Sequence, residues 1–310
     1  MMFSIIIPSY KSRYLDEAIE SVISQTCDDW ELIVVNDCSP EDIATVVNPY
    51  LNNSKIKYHV NDYNFGAERL CENWNSCLKY CTGDYIICMG DDDRLTPCCL
   101  EEYRKLILKY PQEEVLHGQT EIIDEHGEVC ELLEPRHEHE NALQLIYYRW
   151  AGLGRQQFIG DFCYKREPLI RRGGFYDLPF AWGSDDISAV LAATSSGIAN
   201  TEKICFQYRK SRFSISADTN NRRKADALMM QWEWYKGYLE EYKAGTTQEI
   251  VTIKLLKEMM PLHFRFHIND MIRKDLRLGK CNVLYWLKNK RRYHATVQDI
   301  LIQLVKSLKP

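Results

Sequence analysis

Three adjacent carboxylates, Asp91, Asp92 and Asp93, are the side chains of this sequence that most clearly suggest chemistry. They follow the apolar run Tyr85–Met89, which is typical of a strand buried on both faces of a sheet. Open α/β sheets bind their ligands at the carboxyl ends of such strands. Adjacent carboxylates repel each other, and a hard divalent cation with oxygen ligands relieves that repulsion. The alternative is a solvated acidic turn that favours the N-terminus of the next helix.

A second pair of carboxylates, Asp185 and Asp186, begins a predicted helix that ends near Gly197. The helix N-terminus favours an ionised carboxylate, whereas the neighbouring negative charge opposes ionisation. A general base must be ionised before it can accept a proton. Asp186 is therefore our first candidate for a base and Asp185 the second. The alternative is that Asp185 caps the helix and Asp186 is only a first-turn acid.

The chain lacks the motifs of several nucleotide and phosphate enzymes. No GxGxxG follows the first predicted strand, and no GxxxxGK[ST] is present, which excludes the dinucleotide fingerprint and the P-loop. The segment after Gly90 reads DDDRL and lacks the hydroxyl residue of the DxDxT pattern of phosphatases with an aspartate nucleophile. Pro8–Lys11 lacks the glycine-rich signature expected of a sugar-phosphate nucleotidyltransferase.

Composition indicates an ordinary soluble protein of one or two domains. The chain has 310 residues, 45% of them hydrophobic, and a net charge of −5, which argues against a nucleic-acid partner. No apolar run approaches the ~20 residues needed to cross a bilayer. The 12 cysteines form no CxxC pair, so buried free thiols and a cytoplasmic location are expected.

Apolar runs and helical stripes alternate four times in the first hundred residues. This alternation predicts an α/β protein with a mostly parallel sheet and helices on both faces. The first strand is expected to end at Pro8, and the fourth helix to have Thr96 as N-cap, Pro97 as first residue and an end near Lys109. The predicted strands are Phe3–Ile7, Glu31–Val35, Ile56–Val60 and Tyr85–Met89, with helices near Leu15–Ile23, Asp42–Leu51 and Ala67–Tyr80.

The chain beyond about residue 110 alternates less regularly. Pro135–Glu140 is interpreted as a solvated loop, since its two histidines do not form HExxH. From Thr219 onward the patterns are helical, so we place a domain boundary near Ser216. Residues 1–216 would form the α/β domain, with halves of about 1–110 and 111–216, and residues 217–310 a helical appendage. Further strands are predicted at Val115–Ile123, Val129–Leu133, Asp161–Lys165 and Ile204–Tyr208, and a helix at Ala142–Trp150.

Four groups of motifs, taken in order, resemble those of the family 2 glycosyltransferases, which have the Rossmann-like GT-A fold. Each motif is weak alone, but their order and spacing together are specific, and the resemblance covers about residues 3–216. The matching segments are Ile6–Tyr10 with Ser21–Gln25, Glu31–Ser39, Asn64–Gly66 with Asn73 and Gly83–Tyr85, and Asp185–Asp186 with Gly197, closed by Ser214–Ser216.

The resemblance implies a nucleotide site at this edge of the sheet. Ser9, Tyr10 and Asp37 would hold the base and ribose, with the Asp37 carboxylate accepting a hydrogen bond from the base. Asn64 and Gly66 would line the same pocket, although Asn-x-Gly is also an ordinary turn. A structural reading of Asp37 as a turn or cap residue remains the alternative.

The resemblance also implies a divalent cation, Mg²⁺ or Mn²⁺. Asp91 and Asp92 would act on the ribose and the metal, Asp92 is the first choice as metal ligand, and Asp93 would support the site or cap the next helix. The chain departs from the family pattern at Gly90, where an Asp is common, and at Ser211, where a His is common.

Other departures concern possible phosphate contacts and the first acidic motif. The family often has Asp where this chain has Asn36. Three cations after the last strand, Arg209, Lys210 and Arg212, either contact a diphosphate or form a solvated basic edge.

The implied activity is transfer of a sugar from a nucleoside-diphosphate donor, UDP-linked or related, to a hydroxyl acceptor, with inversion. The acceptor would be a saccharide or a lipid-linked saccharide of a surface polysaccharide. Trp182 would stack on an acceptor sugar or belong to the core. The competing class is a non-catalytic nucleotide- or glycan-binding protein on the same fold, which would bind without turnover.

The C-terminal segment is basic and amphipathic. Lys280–Pro310 holds seven Lys and Arg residues against one acid, Asp299, with apolar residues at helical spacing beside them. This pattern suits the surface of an anionic membrane at the inner face of the cell membrane. The alternative is a helix packed on the core with a solvated basic side.

Overall fold

The central strand of the fold is β1, Phe3–Ser9, whose side chains are almost all buried. It pairs in parallel with β2, Trp30–Asn36, on one side and with β4, Tyr85–Cys88, on the other. A strand buried on both faces needs the continuous apolar run that this segment has. The computed structural model describes residues 1–152, 155–211 and 219–308.

The sheet has the strand order β3-β2-β1-β4-β9-β6-β10-β5, with β7 on β6 and β8 on β10. Its first four strands are parallel, whereas β9 is antiparallel to both of its neighbours. The other strands are β3 Ile56–Val60, β5 Arg94–Leu95, β6 Val115–Ile123, β7 Val129–Leu132, β8 His139–Glu140, β9 Phe162–Lys165 and β10 Ile198–Arg209.

Helices connect the strands and extend the chain beyond the sheet. The predicted architecture, a mostly parallel sheet with helices around it and a helical C-terminal region, is confirmed. The helices are α1 Leu15–Ile23, α2 Ile43–Val47, α3 Leu70–Cys77, α4 Cys99–Lys109, α5 Ala142–Trp150, α6 Arg166–Arg171, α7 Ser184–Ala193, α8 Asn221–Glu241, α9 Thr247–Leu278, α10 Val283–Asn289 and α11 Val297–Lys306.

Two apolar clusters cover the two faces of the sheet. One contains Ile5 and Leu15 and is covered by α1 and α4. The other begins at Ile6 and continues without a break through Phe264 of α9 to Ile300 of α11. The helical region therefore shares a core with the sheet. The division into domains stays a prediction, and the boundary near Ser216 lies outside the described residues.

Two element ends that were predicted from prolines are wrong. Pro8 lies inside β1, where its missing N–H costs little because the pairing with β4 stops at Ile6. Thr96 and Pro97 do not begin α4, whose N-cap is Cys98. The Thr96 hydroxyl instead donates to the carbonyl of Ile204 at 2.6 Å, which attaches this segment to β10.

The interpretation of Pro135–Glu140 as a solvated loop is wrong at two residues, Arg136 and Glu140, although His137 and His139 are exposed. Glu140 is completely buried in β8 and accepts both guanidinium donors of Arg155, at 2.6 and 2.9 Å. Arg136 is buried as well. A run of charged residues looks solvated in sequence, but here the charges are paired inside the protein.

All 12 cysteines are free, as expected, but Cys38, Cys130 and Cys281 are exposed and not buried. Among the described residues, no helix is long and apolar enough to span a membrane.

A buried carboxylate, Glu31, joins four segments of the sheet. Its Oε1 accepts from the Ser4 hydroxyl at 2.7 Å and from the Thr82 N–H at 2.6 Å, and its Oε2 accepts from Lys57 Nζ at 2.7 Å. Burial alone would raise the pKa of Glu31, but the hydrogen bonds from Lys57, Ser4 and Thr82 outweigh it and lower that pKa to about 2.

We predict that Glu31 makes folding sensitive to acid. A carboxyl whose pKa is lower in the folded state stabilises the protein above its unfolded pKa, and this contribution disappears as pH falls towards the folded pKa. The free energy of unfolding should therefore fall by up to about 3 kcal/mol from this group between about pH 5 and pH 2. Urea unfolding at several pH values should show a shallower pH dependence for Glu31→Gln than for the parent. The control Glu240→Gln, at an exposed residue, should keep the pH dependence of the parent protein. Equal slopes for all three proteins would contradict the prediction.

Candidate active site

The residues predicted to bind a nucleotide meet at one edge of the sheet. Ser9 ends β1, Asp37 directly follows β2, and Asp91 follows β4. These three strands are parallel neighbours, so their carboxyl ends lie side by side. Asp91 joins two of them, because its Oδ2 accepts from the backbone N–H groups of Tyr10 and Lys11, both at 2.7 Å.

We call Asp37, Asn61 and Asn64–Gly66 the pocket wall, because these residues would line the predicted nucleotide pocket. Asp37 is at its centre. Its Oδ1 accepts from the Phe65 N–H and from Asn61 Nδ2, both at 3.0 Å, and its Oδ2 accepts from the Gly66 N–H at 3.3 Å. Asn64 Nδ2 donates to the carbonyl of Asp37 at 2.7 Å. The structure therefore brings Asp37, Asn64 and Gly66 together. Gly66 has φ of +71°, which favours glycine at this turn.

Ser9 and Tyr10 differ in exposure. The Ser9 side chain is completely buried, and among the described residues its hydroxyl has no hydrogen-bond partner. The Tyr10 ring is 42% exposed, so it offers an open aromatic face at the end of β1. Sequence reasoning missed Asn61, which also donates to Asn73 Oδ1 at 2.9 Å and thereby connects the pocket wall to α3.

The carboxylates of Asp92 and Asp93 converge in front of Gly90. A Cβ atom on Gly90 would lie 3.0 Å from Asp92 Oδ1 and 2.8 Å from Asp93 Oδ2. The two carboxylates thus occupy the space that any side chain at position 90 would need, so an aspartate there would displace them. Burial, followed by the charge of Asp92, raises the pKa of Asp93 well above its usual value. Burial also raises the pKa of Asp91 to about 6, with the Asp92 charge adding to the effect.

The residues of this loop fit a divalent cation whose remaining ligands would come from water and the substrate. No group of three or more His, Cys, Asp or Glu side chains within the described ranges has the arrangement of a metal site. Mg²⁺ commonly takes one or two carboxylates and fills its other positions with water and substrate phosphates. The two converging oxygens of Asp92 and Asp93 match that ligand set.

Arg209 supports the carboxylate loop, Asp91–Asp93. It is therefore neither a diphosphate contact nor part of a solvated basic edge. The side chain is completely buried at the end of β10. Its Nε donates to the carbonyl of Asp92 at 2.8 Å, and its backbone N–H donates to Asp93 Oδ1 at 2.9 Å. Its two terminal nitrogens donate to the Asp124 carbonyl at 3.1 Å and to Glu17 Oε2 at 2.5 Å.

The other two cations of that group differ from Arg209. Lys210 is exposed, and Arg212 lies outside the described residues, as does the closing motif Ser214–Ser216. Ser211 is buried at the position where a histidine is common in the resembling family.

Asp185 and Asp186 lie in the first turn of α7, whose N-cap is Gly183, so Asp185 is not the cap. Asp186 Oδ1 accepts from Arg149 Nε at 2.9 Å and also from Gln157 Nε2, whereas its Oδ2 has only a long contact of 3.4 Å with Arg149 Nη2. Oδ1 is thus saturated, and Oδ2 keeps a lone pair for a further donor.

Asp185 has a different environment. Its Oδ1 accepts from the backbone N–H of Asp186 at 3.0 Å. Burial, followed by the neighbouring charge of Asp186, raises the pKa of Asp185 to about 7. A carboxyl of this kind exchanges its proton near neutral pH.

The partners of Asp186 come from a region without motifs, so sequence reasoning missed them. Arg149 ends α5, and its Nη1 also donates to the Arg155 carbonyl at 2.9 Å. Gln157 is held through its Oε1, which accepts from Arg136 Nη1 at 3.3 Å. Arg149 and Gln157 can be recognised only from the structure, as partners of the Asp186 carboxylate. The sequence alone does not show which residues contact that carboxylate.

The helical region reaches the loop that carries Asp185 and Asp186. Phe180 and Ala181 in this loop have φ of +59° and +50°, a strained conformation for residues with a Cβ. Gln231 of α8 supports the loop by donating to the Trp182 carbonyl at 2.7 Å. Lys224 of α8 lies 4.7 Å from the centre of the Trp182 ring, so one ring face is already covered. A role of the other face in stacking stays a prediction.

Comparison with known proteins identifies relatives that include named glycosyltransferases. WfgD of Escherichia coli, a UDP-Glc:α-D-GlcNAc-diphosphoundecaprenol β-1,3-glucosyltransferase, is 27% identical over 77% of this chain and 87% of its own length. CgeD of Bacillus subtilis is 35% identical over 56% of this chain and 41% of its own. The putative colanic acid glycosyltransferase WcaA of E. coli is 35% identical over 38% of this chain and 40% of its own. The chain thus spans well under half the length of CgeD and WcaA.

Solved structures share the fold. Residues 1–349 of Staphylococcus aureus TarS in complex with UDP-GlcNAc have a TM-score of 0.66 at 15% identity, covering 99% of this chain and 90% of that fragment. The mannosyltransferase PcManGT of Pyrobaculum calidifontis, in complex with GDP-Man and Mn²⁺, has a TM-score of 0.57 at 16% identity, covering 99% and 87%. These likenesses confirm the predicted GT-A fold.

The family model described as glycosyl transferase family 2 matches residues 4–159, which is half of the chain and includes the pocket wall and the carboxylate loop. The chain belongs to glycosyl transferase family 2.

Proposed function

We propose that this protein transfers a sugar from a nucleoside-diphosphate donor to a hydroxyl of a lipid-linked saccharide, with inversion and with help from a divalent cation. The observation that carries the proposal is the edge of the sheet where the Asp37 pocket adjoins the converging oxygens of Asp92 and Asp93. The donor would be UDP-linked, as in the TarS complex, and the product part of a surface polysaccharide, as the relatives' names suggest. The cytoplasm, at the inner face of the membrane, is the proposed location.

Donor binding follows from the pocket. The unpartnered hydroxyl of Ser9 and the exposed ring of Tyr10 would contact the nucleoside, and Asp37 would accept from the base through Oδ2. Asp91 would contact the ribose. Asp92 and Asp93 would hold Mg²⁺ or Mn²⁺, which when bound neutralises charge on the departing diphosphate.

Asp186 is the proposed general base. Arg149 and Gln157 hold its Oδ1 in place, and its Oδ2 retains a lone pair to accept the proton of the acceptor hydroxyl. That hydroxyl oxygen bonds to the anomeric carbon while the bond from that carbon to the diphosphate breaks, which inverts the carbon. A single displacement needs no carboxylate nucleophile, unlike a retaining hydrolase. Asp185 is the second candidate, because its raised pKa of about 7 suits proton transfer near neutral pH.

Turnover distinguishes this proposal from a non-catalytic binding protein on the same fold. Incubation of the protein with UDP- and GDP-sugars, Mn²⁺ and a saccharide diphospholipid acceptor should release nucleoside diphosphate and extend the acceptor by one sugar. Nucleotide binding without release for every donor and acceptor would instead favour the binding protein.

The first prediction about the active site concerns the cation. Nucleoside-diphosphate affinity should rise at least about tenfold with Mn²⁺, since a cation held by Asp92 and Asp93 would neutralise charge on the diphosphate. Asp92→Ala should abolish this rise in titration calorimetry, while Glu202→Ala, which removes an exposed acid on β10, should leave it intact. Equal affinities with and without Mn²⁺ for the parent protein would contradict the prediction.

The second prediction concerns Arg209 as a positioning residue. Lysine keeps the charge but cannot bridge the Asp92 carbonyl, the Asp124 carbonyl and Glu17 at once. Arg209→Lys should therefore weaken the Mn²⁺-dependent part of nucleotide binding about tenfold and leave metal-free binding nearly unchanged. The control is Arg104→Lys, which alters an exposed ion pair with Asp29.

Circular dichroism distinguishes positioning from general instability in that experiment. A folded Arg209→Lys protein with unchanged Mn²⁺ dependence would show that Arg209 does not position the loop. Equal loss of metal-free and metal-dependent binding would indicate damage to the whole pocket and also contradict the prediction.

The third prediction concerns the base. Asp186→Asn keeps the shape of the side chain and removes its basicity, so transfer should fall about 10²–10⁴-fold. Donor affinity should change little, because the pocket wall lies on other elements. Asp185→Asn should cost less. A crippled Asp185→Asn with near-normal Asp186→Asn would assign the base to Asp185, and full activity of both would exclude the pair.

The pH profile supplies an independent readout for the same pair. A base at Asp185 would be ionised only above its pKa of about 7, so the rate would fall as pH decreases below that value. Asp185→Asn would then remove this limb of the profile. If the limb persists in that variant, it does not arise from Asp185.

A further inference from the structure

Helix α11 presents an apolar face to solvent at the C-terminal end of the chain. Val297, Leu301 and Val305 lie on one face at four-residue spacing and are 46%, 49% and 60% exposed. Leu308 follows directly and is 66% exposed. The other side of the helix, which includes the buried Ile300, contributes to the core. The exposed face is therefore additional to what folding requires.

This apolar surface continues onto the end of α9 and the start of α10. Lys280 Nζ donates to the carbonyl and hydroxyl oxygens of Ser307 at 2.8 and 2.9 Å, which places the two segments side by side. Leu278 and Leu284, on either side of Lys280, are 59% and 71% exposed. We call the resulting surface the C-terminal patch; it consists of Leu278, Leu284, Leu301, Val305 and Leu308.

The charge around the C-terminal patch is almost entirely positive. Residues 276–308 contain seven Lys and Arg residues and one acid, a net charge of +6. The acid, Asp299, is buried and accepts from Arg265 Nη2 at 2.7 Å, so it does not offset the surface charge. Six of these cations are exposed: Arg277, Lys280, Lys288, Arg291, Arg292 and Lys306.

This charge distribution decides which occupant fits the patch. A second copy of the chain would bring two positive surfaces together, which repel. An anionic bilayer surface satisfies both features, because Leu and Val side chains enter the acyl boundary while cations remain among the headgroups. Long cationic side chains favour that arrangement, since their stems are apolar and their ends charged.

We propose that the C-terminal patch binds the surface of anionic membranes. The patch would hold the protein on the bilayer without a segment that crosses it. This inference stands on the C-terminal helices alone, so its test needs no turnover and can fail or succeed independently of the transferase activity.

The test is co-sedimentation of the full chain with vesicles. Binding should be strong to vesicles of phosphatidylcholine with phosphatidylglycerol and at least about tenfold weaker to phosphatidylcholine alone. It should also weaken as salt rises from 50 to about 500 mM, because surface charges are screened. Two variants probe the two features: Leu301→Ser with Val305→Ser, and Lys288→Gln with Lys306→Gln. Each should lower binding to anionic vesicles about tenfold.

The matched control is Val129→Ser with Leu132→Ser on β7. These side chains are 56% and 61% exposed, like those of the patch, but they lie beside the acids Glu128 and Glu131. Their replacement should leave vesicle binding unchanged. Equal loss in the control, equal binding to both kinds of vesicle, or no binding by the parent protein would each overturn the proposal. So would a patch variant that changes only the oligomeric state in gel filtration.

Discussion

Crowded negative charge at one edge of the sheet is the constraint on which the site depends. Asp37, Asp91, Asp92 and Asp93 all follow strands whose carboxyl ends lie side by side. Burial opposes the ionisation of Asp91, Asp92 and Asp93, and the charge of Asp92 adds to this effect on Asp91 and Asp93. The fold compensates with backbone N–H groups, which donate to three of the four carboxylates. Donors fixed in the backbone cost no side-chain entropy, so the loops hold their shape before any ligand arrives.

The Arg209 side chain also compensates for the crowded negative charge, in addition to the backbone N–H groups. A buried guanidinium is costly unless its donors are used, and here they reach a carbonyl of the carboxylate loop, a carbonyl of the β6–β7 turn and the carboxylate of Glu17 on α1. The Tyr14 ring lies 4.2 Å from the guanidinium and covers it further. The side chain thus fixes the loop to three elements that are far apart in sequence.

Sequence reasoning predicted the sheet and the donor side well because both leave local signals. Buried parallel strands need apolar runs, and Asp37, Asn64 and Gly66 lie in short motifs whose spacing is set by the turns themselves. Element ends failed where a residue had a tertiary partner, as at Thr96, whose hydroxyl bonds to Ile204 and not to a helix. N-cap preference describes local geometry, and a distant carbonyl outweighs it.

The region around Asp186, where the acceptor would bind, was hard to predict for a different reason. Its structure depends on charges that pair across long stretches of chain. Glu140 was interpreted as solvated because it lies in a run of charged residues, yet it is buried in an ion pair with Arg155. Removing one partner of such a pair leaves an unpaired buried charge and costs roughly 3–5 kcal/mol. Which charges pair is a property of the fold, so no local pattern reports it.

That buried pair also connects the two sides of the site. The carbonyl of Arg155 accepts from Arg149, and Arg149 in turn holds Asp186. Glu140 belongs to β8, which pairs with the start of β10, whereas Arg209 at the end of β10 holds the carboxylate loop. One strand therefore carries the supports of both carboxylate groups. β10 pairs with β6 on both sides of a register shift between Asn200 and Phe206, so the sheet holds both supports in place at once.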